Sequence, residues 1–205
     1  MGEDGDMKRC GDPKVLAGFL EERAREWVSR RYGDTLVLPV QVVLDSAIAR
    51  LRSAAHIQAE SIGEGWEIVE VEQKHNLPME GLSISGKIDR VDRHTGTGAI
   101  RLIDYKTSDS AKKPADAHLA RARDDAEPYL KIQVDGKDRQ WVDLQLPLYR
   151  MMLASGSARS RAVHGGAPIE ICYFSLPRET AETAIAQWAG FDDRILEAAR
   201  SCVAE

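Results

Sequence analysis

The stretch from Gly86 to Thr107 constrains this chain more than any other: GKIDRVD, a Gly-rich turn HTGTGA, then IRLIDYKT. Strand side chains alternate between faces, so Asp104 and Lys106 share one side of a strand, and Asp89 lies on the polar side of the strand before it. A hairpin would bring two acids and an amine together. Asp104 follows the apolar run Ile100 to Ile103, and burying a carboxylate there is costly unless a charge or a metal compensates it. A divalent cation together with Lys106 would balance the two acids. An all-oxygen ligand set favours a hard ion, magnesium or manganese, over zinc, because no Cys or His is placed to complete a softer site. The plainer reading of the same residues is a hairpin whose Asp and Lys are surface pairs.

At 205 residues the chain fits one domain with additions, and 43% apolar residues suffice for a core. Net charge is −5, so no global basic field points to nucleic acid, and any polyanion would have to meet local clusters and metal ions. Cys10, Cys172 and Cys202 are odd in number and far apart, which suits neither a zinc ribbon nor a disulfide framework and makes a reducing cytoplasm the simplest home. The polar, acidic start MGEDGDMKRCGD does not resemble a signal peptide, and no apolar run approaches the span of a membrane helix.

In chain order, residues 1–12 are expected as a disordered tail and residues 13–205 as one domain, with its core at about 40–177 and a long loop over 108–139. Apolar residues at helical spacing run from Pro13 to Tyr32, and again from Pro39 through Ala55. His56 beside that second stripe reads more readily as a satisfied edge residue than as a ligand. Strands are expected over WEIVEVEQKH from Trp66, over Leu82 to Asp92, and from about Ala99 to Thr107, with a turn at Asn76-Leu77-Pro78. Alternation sets Val69 and Val71 on one side of the first strand and Glu70 and Glu72 on the other, either as a solvated face or as a functional one. In the long loop a short helix around Ala115 to Arg123 is expected, and Lys112, Lys113, Arg121 and Arg123 are candidates for phosphate contact or a solvated face. Asp143 reads as the cap of a helix continuing through Met152, on which Gln145 and Tyr149, four apart, share a face. A loop from Gly156 to Gly166 carries Arg159 and Arg161. IEICYFSL, apolar on both faces, reads as an interior strand, and a terminal helix is expected over about Glu179 to Val203.

Three signatures therefore stand in one order: Gly86-Lys87-Ile88-Asp89-Arg90-Val91-Asp92, Asp104-Tyr105-Lys106-Thr107, and Gln145-Leu146-Pro147-Leu148-Tyr149. Together they resemble the PD-(D/E)XK nuclease superfamily, specifically its RecB-like exonuclease branch, which includes the nuclease domains of RecB and AddB proteins. The resemblance implies an α/β fold with a restriction-endonuclease-like core, α-β-β-β-α-β, a mixed sheet flanked by helices, and extra helices at both ends. It implies that Asp89 and Asp104 hold Mg2+, or Mn2+, with the backbone carbonyl of Tyr105 as a further ligand. Lys106 would orient or deprotonate the attacking water. Gln145 and Tyr149 match the branch's Gln-x-x-x-Tyr helix, which supports the site and the DNA backbone, and Glu72 matches an acidic residue of the first strand. Members of the branch usually carry a His on an N-terminal helix, where this chain has Gly18-Phe19-Leu20-Glu21-Glu22. Glu21, Glu22 or His56 would substitute, or the fourth ligand is absent. Some relatives bind an iron-sulfur cluster through four cysteines; none is expected here.

The function implied is a metal-dependent DNA nuclease, an exonuclease of recombination or repair, acting on DNA ends alone or with a helicase subunit. Its alternatives are a nuclease-like module that binds DNA or scaffolds a helicase-nuclease complex without turnover, and an unrelated α/β domain.

Overall fold

The computed structural model describes residues 3–79, 81–155 and 167–205; the loop from Gly156 to Gly166, with Arg159 and Arg161, lies outside the described residues. The N-terminal half runs α1 (Glu3–Met7), α2 (Pro13–Tyr32), α3 (Leu38–Gly63), β1 (Trp66–Met79), β2 (Leu82–His94) and β3 (Ile100–Lys106). It continues α4 (Pro114–His118), β4 (Leu119–Arg121), β5 (Lys131–Val134), β6 (Lys137–Trp141), α5 (Gln145–Ser155), β7 (Ile169–Ser175), β8 (Ala184–Gln187) and α6 (Asp193–Ala204).

Asp12 opens α2 by accepting the backbone N–H of Lys14 at 2.8 Å, and Pro13 sits where its missing N–H costs nothing. Gly33, at φ 82°, takes a conformation that side chains resist and ends the helix. α3 returns alongside: Leu16 packs on Ala55 and Ala59, and Val28 on Leu44 and Ile48. Glu21 fastens the two helices, accepting from Arg25 on its own helix and from Arg52 on α3. The first residues, expected as a disordered tail, include α1, and Met7 and Cys10 find apolar cover against the Leu16 cluster.

The main sheet has the order β1-β2-β3-β7-β8. β1, β2 and β3 form the expected antiparallel meander, β3 runs parallel to β7, and β8 closes the edge antiparallel to β7. Residues 171–175 of β7 are all buried, as a strand apolar on both faces requires. α3 covers one face, with Ala54 against Ile103, Cys172 and Phe174. On the other face Leu146 and Met151 of α5 and Ile195 and Ala199 of α6 join Leu102 and Ile171. This mixed α/β architecture is the restriction-endonuclease-like core that the sequence led us to expect.

Four local expectations need correction. The turn at Asn76–Pro78 is instead strand: β1 continues to Met79, with Asn76 paired to Ser85 and Pro78 to Ser83. Proline is admitted because β1 is an edge strand, where a missing N–H breaks no ladder on its open side. A bulge between Ile68 and Glu70 breaks the simple alternation of β1, and Glu72 adopts φ 54°. The terminal helix begins only at Asp193; Ala184 to Gln187 pair with Ser175 to Cys172 as β8, satisfying the outer backbone groups of β7. Gly190, at φ 78°, separates the two, and Asp192 caps α6 by accepting the N–H of Ile195 at 2.9 Å.

The fourth correction is the largest. The segment expected as a long loop is a second sheet of order β4-β6-β5, preceded by the short helix α4, which ends at His118 rather than Arg123. Asp135-Gly136, with φ of 52° and 69°, forms a tight hairpin turn between β5 and β6. Leu119, Ile132 and Trp141 bury the inner side of this sheet in the main core.

Candidate active site

The β2–β3 register pairs Arg90 with Ile103, and one residue further brings Asp89 alongside Asp104. Asp89 Oδ2 accepts the backbone N–H of Tyr105 at 3.0 Å. Asp104 ends the buried run that begins at Ile100 and is only 2% exposed. Its Oδ1 accepts a hydrogen bond from Gln145 Nε2 at 2.9 Å. Its Oδ2 pairs with the Lys106 ammonium at 2.7 Å, and among the described residues no other donor reaches this buried oxygen. Lys106 Nζ donates to Gln145 Oε1 at 2.8 Å and stands over the Tyr173 ring, 4.8 Å from its centroid. Gln145 Nε2 also donates to the Tyr149 hydroxyl at 3.1 Å. One amide thus holds the acid, the ammonium and the phenol at the same time.

Burial raises the proton affinity of Asp104 above that of an ordinary carboxylate; the neighbouring charges of Asp89 and Asp143 push the same way, and Lys106 opposes them. A second positive charge would relieve that tension. The donor set suits a hard divalent cation: two carboxylates on adjacent strands, one of them offering a buried oxygen whose polar neighbour is the Lys106 ammonium. Among the described residues no group of three or more His, Cys, Asp or Glu converges to hold an ion. Asp89 and Asp104 therefore need backbone or water oxygens to complete a coordination shell.

The supporting structure explains why these groups converge. Gly86 lets α5 approach β2, since a Cβ there would lie 2.9 Å from Met152 Sδ and 3.1 Å from Tyr149 Cε1. Asp143 caps α5 as expected, its Oδ1 accepting the N–H of Gln145 at 2.6 Å. Beneath Lys106, Tyr173 hydrogen-bonds His118 Nε2 at 2.7 Å, and His118 Nδ1 is 3.0 Å from the Asp143 carbonyl. Burial lowers the proton affinity of His118. A neutral imidazole protonated on Nδ1 can donate to that carbonyl and accept from the phenol. On the opposite face Arg90 clasps Asp92 through two hydrogen bonds of 2.6 and 2.8 Å, and Arg101 reaches Asp92 and Ser61, fastening α3 to the sheet.

Of the residues singled out in the sequence, the structure brings together Asp89, Asp104, Tyr105, Lys106, Gln145 and Tyr149. Glu72 stands apart from that network: its side chain is 53% exposed and its carboxylate pairs with Lys87. Asp89 and Tyr149 both act on the Lys87 charge, so this pair borders the site. His56 is exposed on α3, Glu22 is exposed on α2, and Glu21 is engaged by Arg25 and Arg52. Sequence reasoning missed His118, Tyr173 and Lys87. Tyr173 had a signal, since a parallel partner of Asp104 on an interior strand must share its face; nothing in the sequence marked His118.

A search of curated proteins found no match. A family model described as the PD-(D/E)XK nuclease superfamily matches residues 8–205, nearly the whole chain. With the fold and that match in agreement, the chain belongs to the PD-(D/E)XK nuclease superfamily.

Proposed function

We propose that this chain is a magnesium-dependent DNA nuclease of the RecB-like branch, an exonuclease that hydrolyses phosphodiester bonds at DNA ends in recombination or repair, working alone or beside a helicase in the cytoplasm. The observation that carries the reading is the buried Asp104 carboxylate set beside Asp89, its Oδ2 paired at 2.7 Å with the Lys106 ammonium. Asp89, Asp104 and the carbonyl of Tyr105 would hold the cation. When bound, such an ion polarises the phosphate and makes water nucleophilic at neutral pH. Lys106, held by Gln145, would orient the attacking water and offset charge gathering on the phosphate. Gln145 and Tyr149 would keep Lys106 and Asp104 in register, and Glu72 with Lys87 would border the substrate path.

Incubation with linear DNA and magnesium should release nucleotides, and EDTA should stop it. Asp104→Ala and Lys106→Ala should each reduce the rate by at least 100-fold, in line with the roughly 3 kcal/mol of a key electrostatic contribution. Undiminished activity in both variants would refute the reading.

The second reading is a nuclease-like module that binds DNA or scaffolds a complex without turnover. It is favoured by one observation: among the described residues no third acid or histidine joins Asp89 and Asp104. Calorimetry separates the two, since the module would bind DNA without binding magnesium or manganese.

A further inference from the structure

The second sheet carries a cleft of about 640 Å³ outside the Asp104 site, lined by Arg121, Arg123, Lys131, Lys137 and Arg139, with Asp124 and Asp138 as its acids. The whole chain has a net charge of −5, so this excess of cations is local and runs against the global balance. The β4–β6 register sets Arg121 directly opposite Arg139. Like charges facing each other across a ladder destabilise a sheet unless something anionic lies between them. Among the described residues neither Arg121, Lys137 nor Arg139 has an ion-pair partner; Asp138 is held by Gln133 at 3.1 Å, and Arg123 has only the exposed Asp125 at 3.4 Å. Arg121 and Lys137 are exposed and Arg139 half-buried.

The cleft is rooted at the site from both ends. β4 leaves directly from His118, which holds Tyr173 beneath Lys106, and β6 returns at Trp141, just before the Asp143 cap and Gln145. An extended chain advances at most ~3.6 Å per residue, so the segment from Arg139 to Gln145 spans no more than roughly 21 Å. A B-form strand advances about 3.4 Å per nucleotide, so that reach is roughly six nucleotides.

We propose that the cleft of the β4-β6-β5 sheet binds the sugar-phosphate backbone of a DNA strand, about six nucleotides or fewer from the bond presented to the Asp89–Asp104 site. The choice of DNA as the polyanion rests on the nuclease reading; the anionic character of the ligand rests on the cleft alone. Arg121 and Arg139 bracket phosphates across the ladder, and Lys137 adds a further contact at the hairpin.

The test is fluorescence-anisotropy titration of the full chain, in EDTA, with a 20-nucleotide DNA strand and a 4-nucleotide strand over a range of salt. The variant Lys137→Gln/Arg139→Gln is expected to bind the longer strand at least 10-fold more weakly. Its dependence of log affinity on log salt should be shallower by about 1.4, the loss of two single-strand phosphate contacts. Binding of the 4-nucleotide strand, short enough to lie in the cleft alone, should weaken as well. The charge-retaining variant Lys137→Arg/Arg139→Lys should restore both affinity and slope, which a loss of folding would not allow. Unchanged affinity and slope in the Gln variant would overturn the proposal even if the protein cleaves DNA normally, as would a wild type that does not bind DNA. A wild type that never cleaves but shows the expected loss on substitution would support the cleft while contradicting the nuclease reading.

Discussion

Asp104 is held under electrostatic tension: it is 2% exposed and beside Asp89, and among the described residues Lys106 is the one cation that offsets its charge. Its raised proton affinity in the fold has a consequence for stability. The folded state holds that proton more tightly than the unfolded chain does, so what the carboxyl contributes is fully present at acid pH and is lost as pH rises through the folded-state value. Asp104→Asn, an isostere that carries no charge, should therefore raise Tm near neutral pH while removing nuclease activity. A gain of about 1 kcal/mol would appear as ~2–4 °C in a chain of this size. Thermal melts at neutral and acid pH check it: the difference between variant and wild type should shrink as the medium becomes acidic. A variant that melts below the wild type at neutral pH would mean that the Lys106 contact outweighs burial and Asp89 repulsion.

At the level of elements, α5 and β2 must approach closely, and Gly86 is what permits it. Gly86→Ala should press on the Tyr149 ring and on the flexible end of Met152, which can give way, so the cost falls at the lower end of about 1–3 kcal/mol while kcat drops at least 10-fold through the shift of Gln145. Melting curves and a nuclease assay measure the two effects, and an unchanged kcat would show that Gly86 does not set the position of Gln145. The same elements explain what could be read in advance. The meander was legible because alternation, a Gly-rich turn and an acid after an apolar run coincide between Gly86 and Thr107. α5 was legible from the four-residue spacing of Gln145 and Tyr149, and β7 from its unbroken apolar run. The second sheet was not, because strands such as KDRQW are short and charged and take their stability from Trp141 and Ile132 reaching a distant core. The signal present was Asp135-Gly136, a hairpin turn hidden in polar sequence. β8 was lost for a different reason: three small or aliphatic residues and a glutamine carry no decisive period, and the open edge of β7 decides their conformation.

For the molecule as a whole, the layers divide the labour. One face of the sheet is spent on anchoring, with Asp92 locked between Arg90 and Arg101 under α3, while the other carries Asp104, Lys106 and Tyr173 towards α5. Among the described residues no helix is long and apolar enough to cross a membrane. α2 and α3 leave Trp27, Leu38 and Val43 more than half exposed, an apolar strip unlike the charged cleft on the second sheet. We propose that Asp89 and Asp104 bind one hard cation between adjacent strands. Diffraction from crystals soaked in manganese, read by anomalous scattering, tests it most directly. A peak is expected within about 2.0–2.2 Å of oxygens from both Asp89 and Asp104, with the Tyr105 carbonyl in the same shell; density elsewhere, or none at saturating manganese, would rule out a shared cation there.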